Sequence, residues 1–414
     1  MKKFVITLLA VTSLLVGAAM SSCSQSKNGK EGSEAGEAVD NSSPEMLAVQ
    51  IEKDGRWSFY GKDGKVYCKD SIKCQPSDVW NGYYTIAAEY FKGVDFNYPY
   101  TVYKFGEKPE PVKGCTDLKA AGFMNCGLIP VTKKGERISL VDGDGNVKFR
   151  LDPVDGKEVM WCAPGFYEGL LAFCDSDNKR GYVNTEGKVV IKPRFDGASP
   201  FCEGVAIVLE HTPEGVVFKT IDKTGKVVFT FSDGFLPQSN VFSGGCIIAG
   251  KDVNRYTESR YIIVDKTGKT VFTFPDRVTQ PGCYDGKYAT FNGGYSYTLC
   301  YLKSKKPDME VDYVLDYIGH DKFLKWDPGN GSIIDSNGKE LLRLDKFSRY
   351  GYFEGFGIAG VNTEGGLDYV TFLTDDGKPR PGATFYRVGG MGVLNINTDY
   401  PAALNAPNTL PETD

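Results

Sequence analysis

Apolar positions fall into three regimes along the chain. Residues 4–16 form one apolar run, interrupted by Thr7, Thr12 and Ser13. Residues 24–44 are almost wholly polar or small. From residue 46 onward, apolar residues come in short strand-like clusters separated by polar turns, and no window keeps a helical period beyond about two turns. The pattern predicts an exported leader, a linker with nothing to bury, and a body of many short strands.

Lys2 and Lys3 precede the first apolar run, and Gly17, Ala18, Ala19, Ser21 and Ser22 follow it. Charge, apolar core and small residues in that order read as a secretory signal. The run falls short of the roughly 20 residues a membrane-spanning helix needs. It ends in Met20-Ser21-Ser22-Cys23, which resembles the lipobox of bacterial lipoproteins. The resemblance implies a signal peptide over 1–22 and lipidation of Cys23, whose acyl chains contribute about 0.8 kcal/mol per buried methylene. Residues 23–45 are then an unfolded tether, too poor in apolar residues to offset chain entropy. Its carboxylates (Glu31, Glu34, Glu37, Asp40) are spaced out behind Lys27 and Lys30, which leaves periplasmic and surface display both open for an outer-membrane anchor. Residues 397–414 read as a flexible tail.

The body repeats. Tyr182-Val183-Asn184-Thr185-Glu186-Gly187-Lys188-Val189-Val190-Ile191 is one copy of a strand, polar turn, strand element. Others centre on Asp222 to Lys226, Asp265 to Lys269 and Asp335 to Lys339, with weaker copies at Gly64, Gly145 and Gly377 and a degenerate one at Gly106. Each reads as a hairpin in which Asp or Asn caps the turn and Gly takes positive φ. The glycines recur about every forty residues. The gap between Gly268 and Gly338 fits two units with a degenerate turn at Lys303 to Lys306. A second marker interleaves with the first: Phe201-Cys202-Glu203-Gly204-Val205-Ala206, with Tyr167-Glu168-Gly169-Leu170 and Phe353-Glu354-Gly355-Phe356 matching it.

Residues 180–208, from Arg180-Gly181-Tyr182-Val183 through Pro193-Arg194-Phe195-Asp196 to Phe201-Cys202-Glu203-Gly204-Val205-Ala206, resemble the WG-type β-repeat of bacterial proteins. Arg180 stands where that pattern has Trp, while Arg56-Trp57-Ser58 keeps the Trp and loses the Gly. The resemblance covers roughly residues 46–396 and implies binding or envelope roles rather than a set of catalytic residues. The fold expected is all-β: about nine tandem units of about forty residues and three strands each, stacked because none buries both faces alone. A closed propeller-like ring is preferred to an open stack.

Ten cysteines follow Cys23. An even number in an exported chain permits disulfides, and a turn between Cys68 and Cys74 makes them the candidate bridge. Several others lie in apolar runs, where a free thiol serves as a small hydrophobe. Net charge is −5 with both signs interspersed, which argues against nucleic-acid binding. The two histidines, His211 and His320, sit in loop-like sequence far from any nucleophile motif. Asp142-Gly143-Asp144-Gly145-Asn146 resembles part of a calcium loop, but it lacks the distal Glu and coincides with a repeat turn. The recurrence of Glu168, Glu203 and Glu354 points to backbone hydrogen bonding in each unit. No cofactor, metal or catalytic residue is expected. Phe96, Tyr98 and Tyr100, outside the strand pattern, are the candidate ligand-binding aromatics. The function expected is a non-catalytic, membrane-anchored binding or scaffolding protein of the cell envelope. Its partners would be the membrane through the N-terminal lipid, and an envelope protein or glycan. The alternative is a glycan-binding or carbohydrate-active lipoprotein.

Overall fold

The computed structural model describes residues 44–87, 99–251, 259–276, 278–292, 296–304, 306–312, 314–327 and 329–389. No helix occurs among them. The strands run β1 (Met46–Gln50), β2 (Trp57–Gly61), β3 (Val66–Ile72), β4 (Tyr83–Ala87), β5 (Tyr100–Lys104), β6 (Glu110–Pro111), β7 (Leu118–Ala121), β8 (Ile129–Lys133), β9 (Ser139–Val141) and β10 (Val147–Arg150). They continue with β11 (Val159–Cys162), β12 (Leu170–Asp175), β13 (Arg180–Asn184), β14 (Val189–Phe195), β15 (Gly197–Ala198), β16 (Val205–Thr212), β17 (Gly215–Asp222), β18 (Val227–Thr230), β19 (Leu236–Pro237), β20 (Cys246–Lys251), β21 (Arg260–Asp265) and β22 (Thr270–Thr273). The last are β23 (Thr279–Tyr284), β24 (Tyr288–Asn292), β25 (Ser296–Tyr301), β26 (Met309–Asp312), β27 (Val314–Tyr317), β28 (Lys322–Asp327), β29 (Asn330–Asp335), β30 (Glu340–Leu344), β31 (Arg349–Phe353), β32 (Gly357–Glu364), β33 (Leu367–Leu373), β34 (Pro379–Phe385) and β35 (Arg387–Val388).

Consecutive strands pair antiparallel into four-stranded meanders. Module 1 is β35-β1-β2-β3, and a seven-stranded sheet joins modules 2 (β4–β6) and 3 (β7–β10) through one pairing, Tyr100 with Leu118. Modules 4 to 9 are β11–β14, β15–β18, β19–β22, β23–β26, β27–β30 and β31–β34. The described residues thus trace nine modules of a propeller-like ring. Four strands in eight of the nine modules, rather than three, corrects the sequence reading; module 2 has three among the described residues. The strand missed from the sequence is the first, as short as two residues in β15 and β19, too brief for alternation to show. The degenerate turn at Lys303 to Lys306 does connect β25 to β26.

The hairpin turns form as their chemistry dictates. Asp222 Oδ1 accepts the Thr224 and Lys226 N–H at 2.9 and 3.0 Å, and Gly225 sits at φ 84°. Asp142, Asn184, Asp265 and Asp335 repeat the arrangement. The Asp142 carboxylate is therefore engaged by its own turn, and the Asn146 N–H above all holds it down to about 2. Gly106 is absent from the positive-φ glycines, so its turn is built differently. His211 lies not in a loop but in β16, opposite Val216.

Apolar residues are buried between modules more than within them. One cluster runs from Leu140 through Phe173 and Tyr182 to Ile221, linking modules 3, 4 and 5. Another joins the ends of the chain, with Leu47, Val49 and Tyr60 of module 1 against Phe356, Phe372 and Phe385 of module 9. Tyr60 packs 4.7 Å from Phe372 and takes a 2.8 Å hydrogen bond from Arg380. Each such ring buried contributes roughly 1.5–3 kcal/mol.

Ring closure rests on β35. Val388 pairs with Val49 and Arg387 with Gln50, so the last described strand completes the first module's sheet. Tyr386 N–H donates to Gln50 O at 2.8 Å, and Ala48 N–H donates to Asp78 Oδ1 at 2.7 Å. Burial pushes the Asp78 carboxyl up to about 7. Its folded value lies above the ordinary 3.8, so the cost of its charge is absent below that pH. The cost grows as pH climbs and is complete above about 7. Asp78→Asn, which keeps an acceptor for Ala48, should match the parent's melting temperature near pH 4 and exceed it at pH 8. Equal pH profiles for the two proteins would contradict this. Deleting residues 387–414 should lower the melting temperature and expose β1 to proteolysis, whereas deleting 397–414 should do neither.

Candidate functional site

Two kinds of turn share one face of the ring: the tight turn between first and second strands, and the Asp-capped hairpin between third and fourth. The tight turns have two residues with left-handed backbone. Glu203 is at φ 53° and Gly204 at 83°, flanked by reciprocal bonds between Cys202 and Val205. This geometry matches strand twist and requires positive φ at both positions, which is why Gly, Asn or Asp recurs there.

The recurring glutamates have a clear use. Glu203 of module 5 accepts the N–H groups of Gly244 and Gly245, the tight turn of module 6, both at 2.7 Å. Lys266, in the module 6 hairpin, approaches the same carboxylate at 3.2 Å and donates to the Glu203 carbonyl at 2.6 Å. Glu168 of module 4 repeats this toward Gly204 N–H at 3.0 Å and Lys223 at 3.1 Å. Glu354 of module 9 faces Lys62 of module 1, favouring its charge against burial. Elsewhere the latch changes chemistry. Asn81 donates to Met124 O, Asn125 to Phe166 O, and Tyr317 hydroxyl to Asp285. Glu45, just ahead of β1, accepts Gly82 N–H at 2.9 Å. Glu168 and Glu203 bond backbone as expected, but that of the next module rather than their own. Sequence reasoning missed the partner lysines Lys62, Lys223 and Lys266. Their signal was a Lys two residues before the turn Gly.

The other candidate surface is the first-strand edge of module 4. Fourth strands such as β10, β18 and β22 have three of four residues exposed and form the outer rim, so first strands face the axis. On β11, Met160 is 63% exposed and Trp161 37%. The Arg180 guanidinium lies 5.2 Å from the Trp161 ring centre, a cation–π contact. Trp161, Cys174 and Arg180 stand opposite one another across β11, β12 and β13. The enclosed Arg180 Nε finds no acceptor. Two ion pairs border this edge, Lys157 with Asp177 and Lys179 with Asp196, each at 2.5 Å, and the His211 ring lies 3.4 Å from Asp196.

The sequence candidates fare unevenly. Cys23, Phe96 and Tyr98 lie outside the described residues. Tyr100 is half-buried at the start of β5 and packs on the Val102, Leu118 and Ile129 cluster, so it serves the module 2–3 junction. Cys68 and Cys74 are not joined to each other in this structure. A bulge in β3 places Cys68 against the Trp57, Phe59 and Tyr84 cluster, where burial pushes its thiol up.

Residues 181–210 match the WG containing repeat. In that WG-repeat stretch the Gly is set by close approach, since a Cβ on Gly181 would lie 2.4 Å from Ile191 O. The stretch runs from the third strand of module 4 to the second strand of module 5, so the WG repeat and the structural module are out of phase. No curated protein matches the chain. Among solved structures, the crystal structure of the eukaryotic initiation factor has a TM-score of 0.50 at 12% identity, covering 83% of this chain and 96% of that one. The Dos1 propeller gives 0.37 at 12%, covering 72% and 91%. BamB from Moraxella catarrhalis gives 0.33 at 12%, covering 73% and 92%. The similarity is one of fold.

Glu203→Ala leaves two backbone N–H groups without their acceptor and removes the carboxylate beside Lys266, and should cost about 2 kcal/mol in denaturant unfolding. Glu186→Ala, on an exposed turn, should stay within about 0.5 kcal/mol.

Proposed function

We propose that this protein is a lipid-anchored envelope scaffold: a propeller-like ring held off a membrane by a tether from Cys23, docking a protein partner on the axial edge of module 4. The observation that carries the reading is how the recurring carboxylates are used. Glu168 and Glu203 are consumed in joining modules, so these recurring glutamates are structural rather than catalytic. What this leaves for recognition is the exposed Met160 and Trp161 beside Arg180, residue types that concentrate at the cores of protein interfaces. The bordering ion pairs supply a polar rim. The Trp161 ring already has a cation against it, which favours a peptide surface over a sugar ring stacked on it.

Cys23→Ser should move the protein from the membrane fraction to the soluble fraction of its host, and continued membrane retention would contradict the anchor. Crosslinking in the host envelope, followed by mass spectrometry, should recover a protein partner. Trp161→Ala should weaken that capture about tenfold or more, as truncating a central interface aromatic does. Capture unaffected by Trp161→Ala, or binding on a glycan array in its place, would refute the docking surface.

A further inference from the structure

Module 6 lacks the carboxylate latch. Its tight turn is Ser243-Gly244-Gly245-Cys246, with no side chain on the two central residues. The turn presses on its neighbour: a Cβ on Gly244 would fall 1.9 Å from the Asp285 backbone carbon. Between these two turns sit two thiols from different modules. Cys246 opens β20 in module 6 and Cys283 lies in β23 of module 7. Cys246 and Cys283 meet side chain to side chain, close enough for the Cys283 thiol to hydrogen-bond a Cys246 thiolate. Both belong to the apolar cluster of Ile263, Phe274, Ala289 and Phe291. The bare Gly286 leaves room for the Cys246 sulfur, 3.4 Å from where a Cβ would stand.

We propose that Cys246 and Cys283 form a disulfide across the module 6–7 junction, supplying covalently the latch that Glu–Lys pairs supply elsewhere. The oxidant is a small-molecule disulfide. The Cys246 thiolate attacks one of its sulfurs and expels one thiol. Cys283, giving up its proton, then attacks the Cys246 sulfur of the mixed disulfide and expels the second. One protein disulfide and two small thiols result, with two electrons passed to the oxidant. The surroundings favour this order. The bond from Cys283 and the nearby Lys303 charge pull the Cys246 thiol below its ordinary range, and the same bond raises Cys283. The low-pKa partner attacks first and the other resolves. Cys300 shares the cluster but faces Cys283 only across Ala289, and burial pushes its thiol up to about 12.

The test is to incubate the purified protein with oxidised glutathione, block remaining thiols with iodoacetamide in denaturant, and map peptides without reduction. The expected result is one linked species joining the Cys246 and Cys283 peptides. The melting temperature should rise about 5 °C over that of dithiothreitol-treated protein, and Cys246→Ser and Cys283→Ser should each abolish the rise. Alkylation of both cysteines, or linkage of Cys283 to Cys300, would overturn the assignment. The mapping uses the unmodified sequence, so it decides the matter even if a serine variant fails to fold.

Discussion

Everything in this ring depends on the inability of a four-stranded meander to bury its own faces. Each module has about one sheet's worth of apolar side chains and no second layer of its own. Its aromatic residues are covered only when a neighbour stacks on them, as Tyr60 is by Phe372 and Phe385. Junctions therefore carry the hydrophobic stabilisation, and the chain must keep them in register. Apolar contact is non-directional. Directionality is added by the latches, which bring a carboxylate or amide from one tight turn to the backbone of the next.

These latches explain a chemical economy in the sequence. A Glu in a left-handed backbone position carries a conformational cost. Glu168 and Glu203 offset it by satisfying exposed N–H groups and a lysine at once. Where the Glu is replaced, the junction is held by amide, hydroxyl or close backbone packing. The chain tolerates such variety because the latch refines an interface that burial already makes favourable.

The parts of this design legible in sequence are those with short-range physical causes. Hairpin turns at Gly187, Gly225, Gly268 and Gly338 were readable because Asx capping and positive φ demand particular residues at fixed spacing. The number of units and the all-β character followed. First strands as short as Gly197–Ala198 carry no alternation to read. The roles of Lys223 and Lys266 depend on which turn comes next in space. Tyr100 looked like a loop aromatic because the strand it opens is marked by its pairing with Leu118 rather than by its own pattern. Cys68 and Cys74 are near in sequence, but the bulge in β3 directs Cys68 inward, while the thiols that touch lie on separate modules.

The phase difference between repeat and module has an evolutionary reading. Each sequence repeat contributes its strands to two adjacent sheets, just as the two chain ends share module 1. Gaining or losing one whole repeat by unequal recombination would change the ring's circumference by one blade. Every seam, including the one that joins the ends, would remain sewn. A protein assembled this way can vary the width of its central opening without inventing a new closure.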